Sequence, residues 1–256
     1  MALIAMAVYS TEENKKDDCL EQTLESLSET VDFDNHRIIL SINGHTNETR
    51  GLMIDFNWMI QDVIYNDCNI GTAKAINKAW AMRKPGENCI KMDDDVVINS
   101  DGWLDEMEEA IKRDPKIGQI GLKRKDCWET PWNESPDYKS ELIMLPHVLG
   151  EKWQIVEKVK HVIGTCVVHS SALLDKVGYL YQPSLYGYDD VIMSHRTHLA
   201  GFYSCFLPHI NIDHIDDGQT DYQGWKERHS GEQTQNVINL VHEMYNGTKP
   251  IYYAAD

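Results

Sequence analysis

The stretch CIKMDDDVVIN, Cys89 to Asn99, decides how the rest of the chain is read. Ile90 and Met92 lead into three consecutive carboxylates, Asp93, Asp94 and Asp95, and Val96, Val97 and Ile98 follow them. Apolar residues on both sides of the acids predict a buried strand with charge in its middle. Ionised carboxylates are costly there unless a cation or hydrogen-bond donors compensate them. Side chains alternate along an extended chain, so Asp93 and Asp95 are expected on one face and Asp94, the most replaceable of the three, on the other. Two hard oxygen donors on one face suit Mn²⁺ or Mg²⁺, which complete their shells with substrate phosphates and water.

Working outward, Leu3 to Tyr9 reads as a first strand and Arg37 to Ile42 as a second, closed by Asn43 and Gly44. Asp17 and Asp18 open a helix between them, and Asn47 to Trp58 predicts another before a short strand, Asp62 to Tyr65. Asn69, Ile70 and Gly71 form a tight loop before a helix with Ala73, Ile76 and Trp80 on one stripe. Beyond the acidic stretch, Asp101 is placed to cap a helix in which Trp103, Met107 and Ile111 recur every four residues, and Gly118 to Leu122 is a further strand. Strands alternating with helices predict an α/β fold, a mostly parallel sheet flanked by helices. Its ligands would sit at the carboxyl ends of the strands, where Ser10, Asn43 and Asp95 fall.

The pattern changes after Lys123. Ser140 to Val148 and Trp153 to Val159 read as an antiparallel hairpin about Gly150, either a lid and acceptor surface over the site or an extension of the sheet. Val162 to His169 reads as a strand, Ser171 to Val177 as a short helix, and the aromatic loop Gly178 to Tyr188 delivers a second acidic pair, Asp189 and Asp190, ahead of a helix to Leu199. Phe202 to Leu207 is a last strand, leading to His209, Asp213, His214, Asp216 and Asp217; a helix with Val237, Leu240, Val241 and Met244 closes the chain. No Pro/Gly/Ser linker divides residues 1–256, so one domain is expected.

The 256 residues carry a formal net charge of −17, which makes nucleic acid an unlikely partner and anionic membranes an unfavourable surface. No run reaches transmembrane length, and no basic-flanked apolar leader opens the chain. The 6 cysteines are scattered without a CxxC pair, which predicts reduced thiols and a cytoplasmic protein. The glycosylation sequons at Asn47, Asn133 and Asn246 then carry no meaning.

The order of these motifs resembles glycosyltransferases of the GT-A fold, a Rossmann-like architecture, and most of all the family 2 enzymes. Asn69 to Trp80 resembles the Asn-x-Gly segment after that family's third strand, Asp93 to Asp95 its DxD motif, and Asp189, Asp190 and Arg196 its acidic pair followed by arginine, with Asp in place of Glu. The resemblance covers residues 1–210. It implies a donor-binding half, 1–122, and an acceptor-binding half with C-terminal segment, 123–256. It implies transfer of a sugar from a nucleoside diphosphate, UDP by preference, to a hydroxyl of a glycan, glycolipid or other acceptor. By the same resemblance Ser10 and Glu12 meet base and ribose, Asn43 stands where an Asp usually reads uracil, and Asn69, Gly71, Lys74 and Asp94 line the donor site. Asp93 contacts donor and metal, Asp95 ligates the metal, and His214 adds a ligand. Asp190 is the general base of an inverting reaction, Asp189 orients the acceptor and Arg196 holds either acid in place. Read from the residues themselves, Tyr222, Trp225 and Lys226 either close over the diphosphate, Lys226 by charge and the aromatics by excluding water, or pack the C-terminal segment, the role favoured for Trp225.

Two rivals remain at this level. A nucleotidyltransferase would want a Gly-rich basic loop after the first strand, whereas Ser10, Thr11, Glu12 and Glu13 stand there. A non-catalytic sugar- or nucleotide-binding module would have no use for Asp190.

Overall fold

A computed structural model describes residues 1–125, 140–146, 152–215, 224 and 231–254. Strands β1 (Ala2–Tyr9), β2 (Arg37–Gly44), β3 (Ile60–Tyr65) and β4 (Asn88–Met92) alternate with helices α1 (Asp17–Thr30), α2 (Asn47–Asp55) and α3 (Thr72–Trp80). Next come β5 (Val96–Val97), α4 (Trp103–Arg113), β6 (Ile117–Arg124), β7 (Glu141–Met144), β8 (Ile155–Val159) and β9 (Cys166–His169). The chain continues through α5 (Ser171–Val177), α6 (Asp189–Leu199), β10 (Tyr203–His214) and α7 (Thr234–Tyr245). The sheet order is β3-β2-β1-β4-β9-β6-β10-β8-β7, with β5 on β10. Strands β3, β2, β1, β4, β6 and β10 run one way; β9, between β4 and β6, and β8, beside β10, run against them.

Alternation along β1 shows why both faces are covered. Ala2, Ile4, Met6 and Val8 pack with Leu20, Leu24 and Leu27 of α1 and with Trp103 and Met107 of α4. Leu3 and Ala5 pack on the other face with Ile76 and Trp80 of α3 and Leu173 of α5. Each large aliphatic side chain buried in this way contributes about 1.5–3 kcal/mol.

The acidic stretch departs from the sequence expectation. It is not one strand: β4 stops at Met92, Asp93 to Asp95 turn, and the chain resumes as β5. The turn is built from side-chain substitutes for backbone pairing. The Asp94 carboxylate accepts the Tyr9 N–H at 3.1 Å, and buried hydroxyls on α1 receive the chain beyond it, Thr23 Oγ1 from Val96 N–H at 3.0 Å and Ser26 Oγ from Ile98 N–H at 2.9 Å.

Other boundaries shift for identifiable reasons. Gly102, at φ 70°, occupies the N-cap of α4 in place of Asp101. Helix α2 ends at Asp55, and Trp58 lies outside it, exposed. The last strand, expected over Phe202 to Leu207, runs further: β10 loses register with β6 between Leu207 and Asn211, around Pro208, a bulge that lets the strand continue to His214. Strands β7 and β8 do form an antiparallel pair, and β8 bonds to β10, so their described part extends the sheet at its edge. Cys127, Trp128, Trp132, Asp216, Asp217, Tyr222, Trp225 and Lys226 lie outside the described residues.

Candidate active site

Strand pairing carries a histidine to the acidic turn. His214 and Asp213 of β10 pair with Val96 and Val97 of β5, and the Ile215 N–H donates to the Asp95 carbonyl at 2.9 Å. His214 Nε2 is then 3.3 Å from Asp95 Oδ1, and one ligand atom from each of Asp93, Asp95 and His214 falls within a 4.8 Å span. Two carboxylates and an imidazole at that spacing fit a divalent ion, with the nitrogen donor suiting Mn²⁺ somewhat better than Mg²⁺. Asp94 turns instead to β1. Burial first, then its neighbour Asp95, push its carboxyl well above the usual range, which marks this turn as a place short of positive charge.

The second acidic pair opens α6. Tyr188, the residue before it, is held in the left-handed region at φ 66°, an uncommon conformation for a bulky side chain and one that aims the pair. Asp189 is buried and takes a 3.4 Å contact from Gln182 Nε2. Asp190 Oδ2 accepts the Gly164 N–H at 3.0 Å and lies 3.7 Å from His161 Nε2, while its Oδ1 accepts the Val191 N–H at 2.7 Å. Burial, followed by the Asp189 charge, raises the Asp190 carboxyl above the ordinary carboxylate range; His161 and Lys91 oppose that rise.

The two acid clusters are joined by a residue that the sequence reading passed over. Lys91, 6% exposed, places its ammonium 3.2 Å from Asp93 Oδ1 and 3.4 Å from Asp189 Oδ2. Burial pulls its pKa down, but Asp189, Asp93 and Asp190 together more than reverse this, so Lys91 stays charged. The available signal was a lysine at a core position of an apolar strand, two residues before the acids. His161 and Tyr186 were also missed. Burial and then the Asp93 charge drive the Tyr186 phenol upward, so it stays protonated beside the acids.

Arg196 does not hold either acid. It is 2% exposed and donates to the carbonyls of Ile251 at 2.6 Å, of Tyr179 at 2.7 Å and of Val177, and burial brings its pKa down to about 10. It therefore ties α6 to the start of the aromatic loop and to the C-terminal segment. Arg196→Leu is expected to destabilise the fold by about 3 kcal/mol or more, because it strands buried carbonyls. A urea titration checks this, and a midpoint at the wild-type value would refute the clamp.

The proposed base and ribose contacts also sit differently from expectation. Ser10 is fully buried; its hydroxyl donates to Asp17 Oδ2 at 2.8 Å and accepts the Lys16 N–H at 3.2 Å. Asp17 accepts from Thr46 and Thr49 as well, so this knot fastens the ends of β1 and β2 together. Asn43 is buried, donating to the Gly71 carbonyl at 3.3 Å and accepting from Asn66 Nδ2 at 3.1 Å and Ile70 N–H at 3.4 Å. Asn69 Oδ1 accepts the Gly71 N–H at 2.9 Å. Gly71, at φ 87°, has the Leu185 backbone 3.1 Å from where a Cβ would lie, which lets the aromatic loop pack on the start of α3. Glu12 and Lys74 are exposed.

Residues 6–178 match the profile of glycosyl transferase family 2. No curated protein matches the chain. Among solved structures, the mannosyltransferase PcManGT from Pyrobaculum calidifontis, in complex with GDP-Man and Mn²⁺, aligns at TM-score 0.64 and 15% identity, covering 88% of this chain and 59% of that one. S. aureus TarS 1-349 with UDP-GlcNAc aligns at 0.61 and 16%, covering 85% and 61%. GalNAc-T7 with UDP, GalNAc and Mn²⁺ aligns at 0.60 and 13%, covering 84% and 43%. At such identities the likeness speaks to the fold, a mixed α/β sheet of the GT-A kind, and the chain spans less than two thirds of each of these proteins. The family profile, by contrast, covers most of the sequence from β1 to α5, and the chain belongs to glycosyl transferase family 2.

Proposed function

We propose that this protein transfers a sugar from a nucleoside diphosphate donor, UDP-linked by preference, to a hydroxyl of a glycan, glycolipid or other acceptor, with inversion. The observation that carries this reading is the convergence of Asp93, Asp95 and His214 within 4.8 Å, with a second carboxylate pair linked to the first by Lys91. Complexes of the neighbours with GDP-Man, UDP and UDP-GlcNAc support a nucleotide-sugar donor, and two of the neighbours' structures contain Mn²⁺. Asp93, Asp95 and His214 would hold Mn²⁺ or Mg²⁺, which when bound offsets the charge gathering on the departing diphosphate.

The remaining chemistry belongs to the chain itself. Asp190 takes the proton of the acceptor hydroxyl as that oxygen bonds to the anomeric carbon and the bond to the diphosphate breaks. The Gly164 N–H and the Val191 N–H fix the carboxylate's orientation. Asp189 orients the acceptor. Residues 1–122 bind the donor and 123–256 the acceptor, within one domain. Among the described residues no helix is long and apolar enough to cross a membrane; six cysteines scattered without a CxxC pair support a reducing, cytoplasmic setting.

A thermal-shift panel of nucleoside diphosphates and nucleotide sugars, with and without Mn²⁺, tests the proposal. Stabilisation by one nucleotide class that requires the metal is expected; stabilisation indifferent to metal would refute the donor site.

A further inference from the structure

Lys91 is placed to do more than neutralise one acid. Its ammonium donates a hydrogen bond to the Gly164 carbonyl at 2.6 Å and makes ion-pair contacts with Asp93 Oδ1 at 3.2 Å and Asp189 Oδ2 at 3.4 Å. The N–H of that same Gly164 donates to Asp190 Oδ2 at 3.0 Å. A Cβ on residue 164 would lie 2.8 Å from Lys91 Nζ and 3.1 Å from Asp190 Cβ, so an added methyl group would push both groups from their present positions. Asp93 follows β4, whereas Asp189 and Asp190 open α6, and without a cation between them the two elements would bring like charges together, that of Asp189 buried.

We propose that Lys91 is a positioning residue for both halves of the site, holding Asp93 of the metal cluster directly and Asp190 through the Gly164 peptide. The proposal rests on the roles given above to Asp93 and Asp190. In the resting protein Lys91 competes with a divalent ion for Asp93, which keeps metal affinity low until a donor diphosphate adds negative charge. At the other end it fixes the Gly164 peptide, and so the direction in which Asp190 presents its free lone pairs.

The test uses Lys91→Met, which keeps length without charge, and Lys91→Gln where the Met variant does not fold. Mn²⁺ alone, followed by electron paramagnetic resonance, is expected to bind the variant about threefold or more tightly, because the competing positive charge is gone. Amide exchange at Gly164 is expected to quicken about tenfold, since its peptide loses the ammonium. In turnover of a nucleoside diphosphate sugar, kcat falls about 100-fold while the donor KM moves far less, the signature of a misplaced base. Gly164→Ala, which wedges a methyl group between Lys91 and Asp190, is expected to lower kcat as well. Wild-type Mn²⁺ affinity together with wild-type Gly164 exchange in the Lys91 variant would overturn the proposal. A wild-type protein that consumes no nucleotide sugar would instead refute the glycosyl-transfer reading, and the metal and exchange measurements would still decide the role of Lys91.

Discussion

Asp190→Asn is expected to leave donor binding near the wild-type level and to lower transfer about 10²–10⁴-fold, the range of a lost general base. The substitution conserves shape. Asn Oδ1 can still accept the Gly164 N–H, so the link from the loop to α6 survives; the Val191 N–H loses its acceptor, and the proton acceptor disappears. Stability moves the other way. The folded-state pKa of Asp190 is raised by burial and then by Asp189, so the ionised form opposes folding. Stability from this group is present at low pH and is lost as pH rises from the unfolded-state value through the folded one. Near neutral pH the Asn variant is therefore expected to melt no lower than wild type, which separates lost chemistry from lost structure. The same raised value places the acidic limb of the wild-type rate profile above the ordinary carboxylate range, with activity falling as pH drops through it. Unchanged transfer by the Asn variant would refute Asp190 as the base, and no transfer by the wild type would leave only a binding module.

The acidic triplet and the later pair were legible because carboxylates in apolar surroundings are chemically conspicuous. The alternation of strands with helices through residue 120 was legible for an equally physical reason, since a two-faced sheet needs apolar residues at every strand position. What escaped was contact across the fold. Lys91 reads as one charged residue in a hydrophobic run until β9 and α6 are seen to close over it. Arg196 has the spacing of an acid-orienting residue, yet its side chain points back to three carbonyls. Ser10 stands at the end of β1, where a ligand contact is expected, but Asp17 draws its hydroxyl inward. The second half of β10, beyond Leu207, escaped because a bulge and a strand end look alike in one dimension. In each case sequence position was informative and side-chain direction was not, and direction is set by partners distant in the chain.

Asp95→Ala is expected to abolish Mn²⁺-dependent stabilisation by nucleoside diphosphates and to remove about 3–4 kcal/mol of transition-state stabilisation. The backbone contact from Ile215 N–H to the Asp95 carbonyl survives the change, so β5 still pairs with β10 and His214 stays in place. The metal-free protein should not weaken. Asp95 is the charge that most raises the Asp94 carboxyl, and its removal lets Asp94 ionise more readily while keeping the Tyr9 N–H. Asp94→Ala supplies the contrast: it leaves the Tyr9 N–H without its acceptor at the end of β1, costing about 1–3 kcal/mol of stability. The metal-dependent shift should survive in that variant. The residue that alternation alone marked as most replaceable is then the one that holds the turn together, and Asp95 the one that gives the turn its chemistry. Calorimetric melts of both variants with and without Mn²⁺ and UDP decide the matter. A metal-dependent shift that persists in Asp95→Ala, or vanishes only in Asp94→Ala, would reverse the assignment.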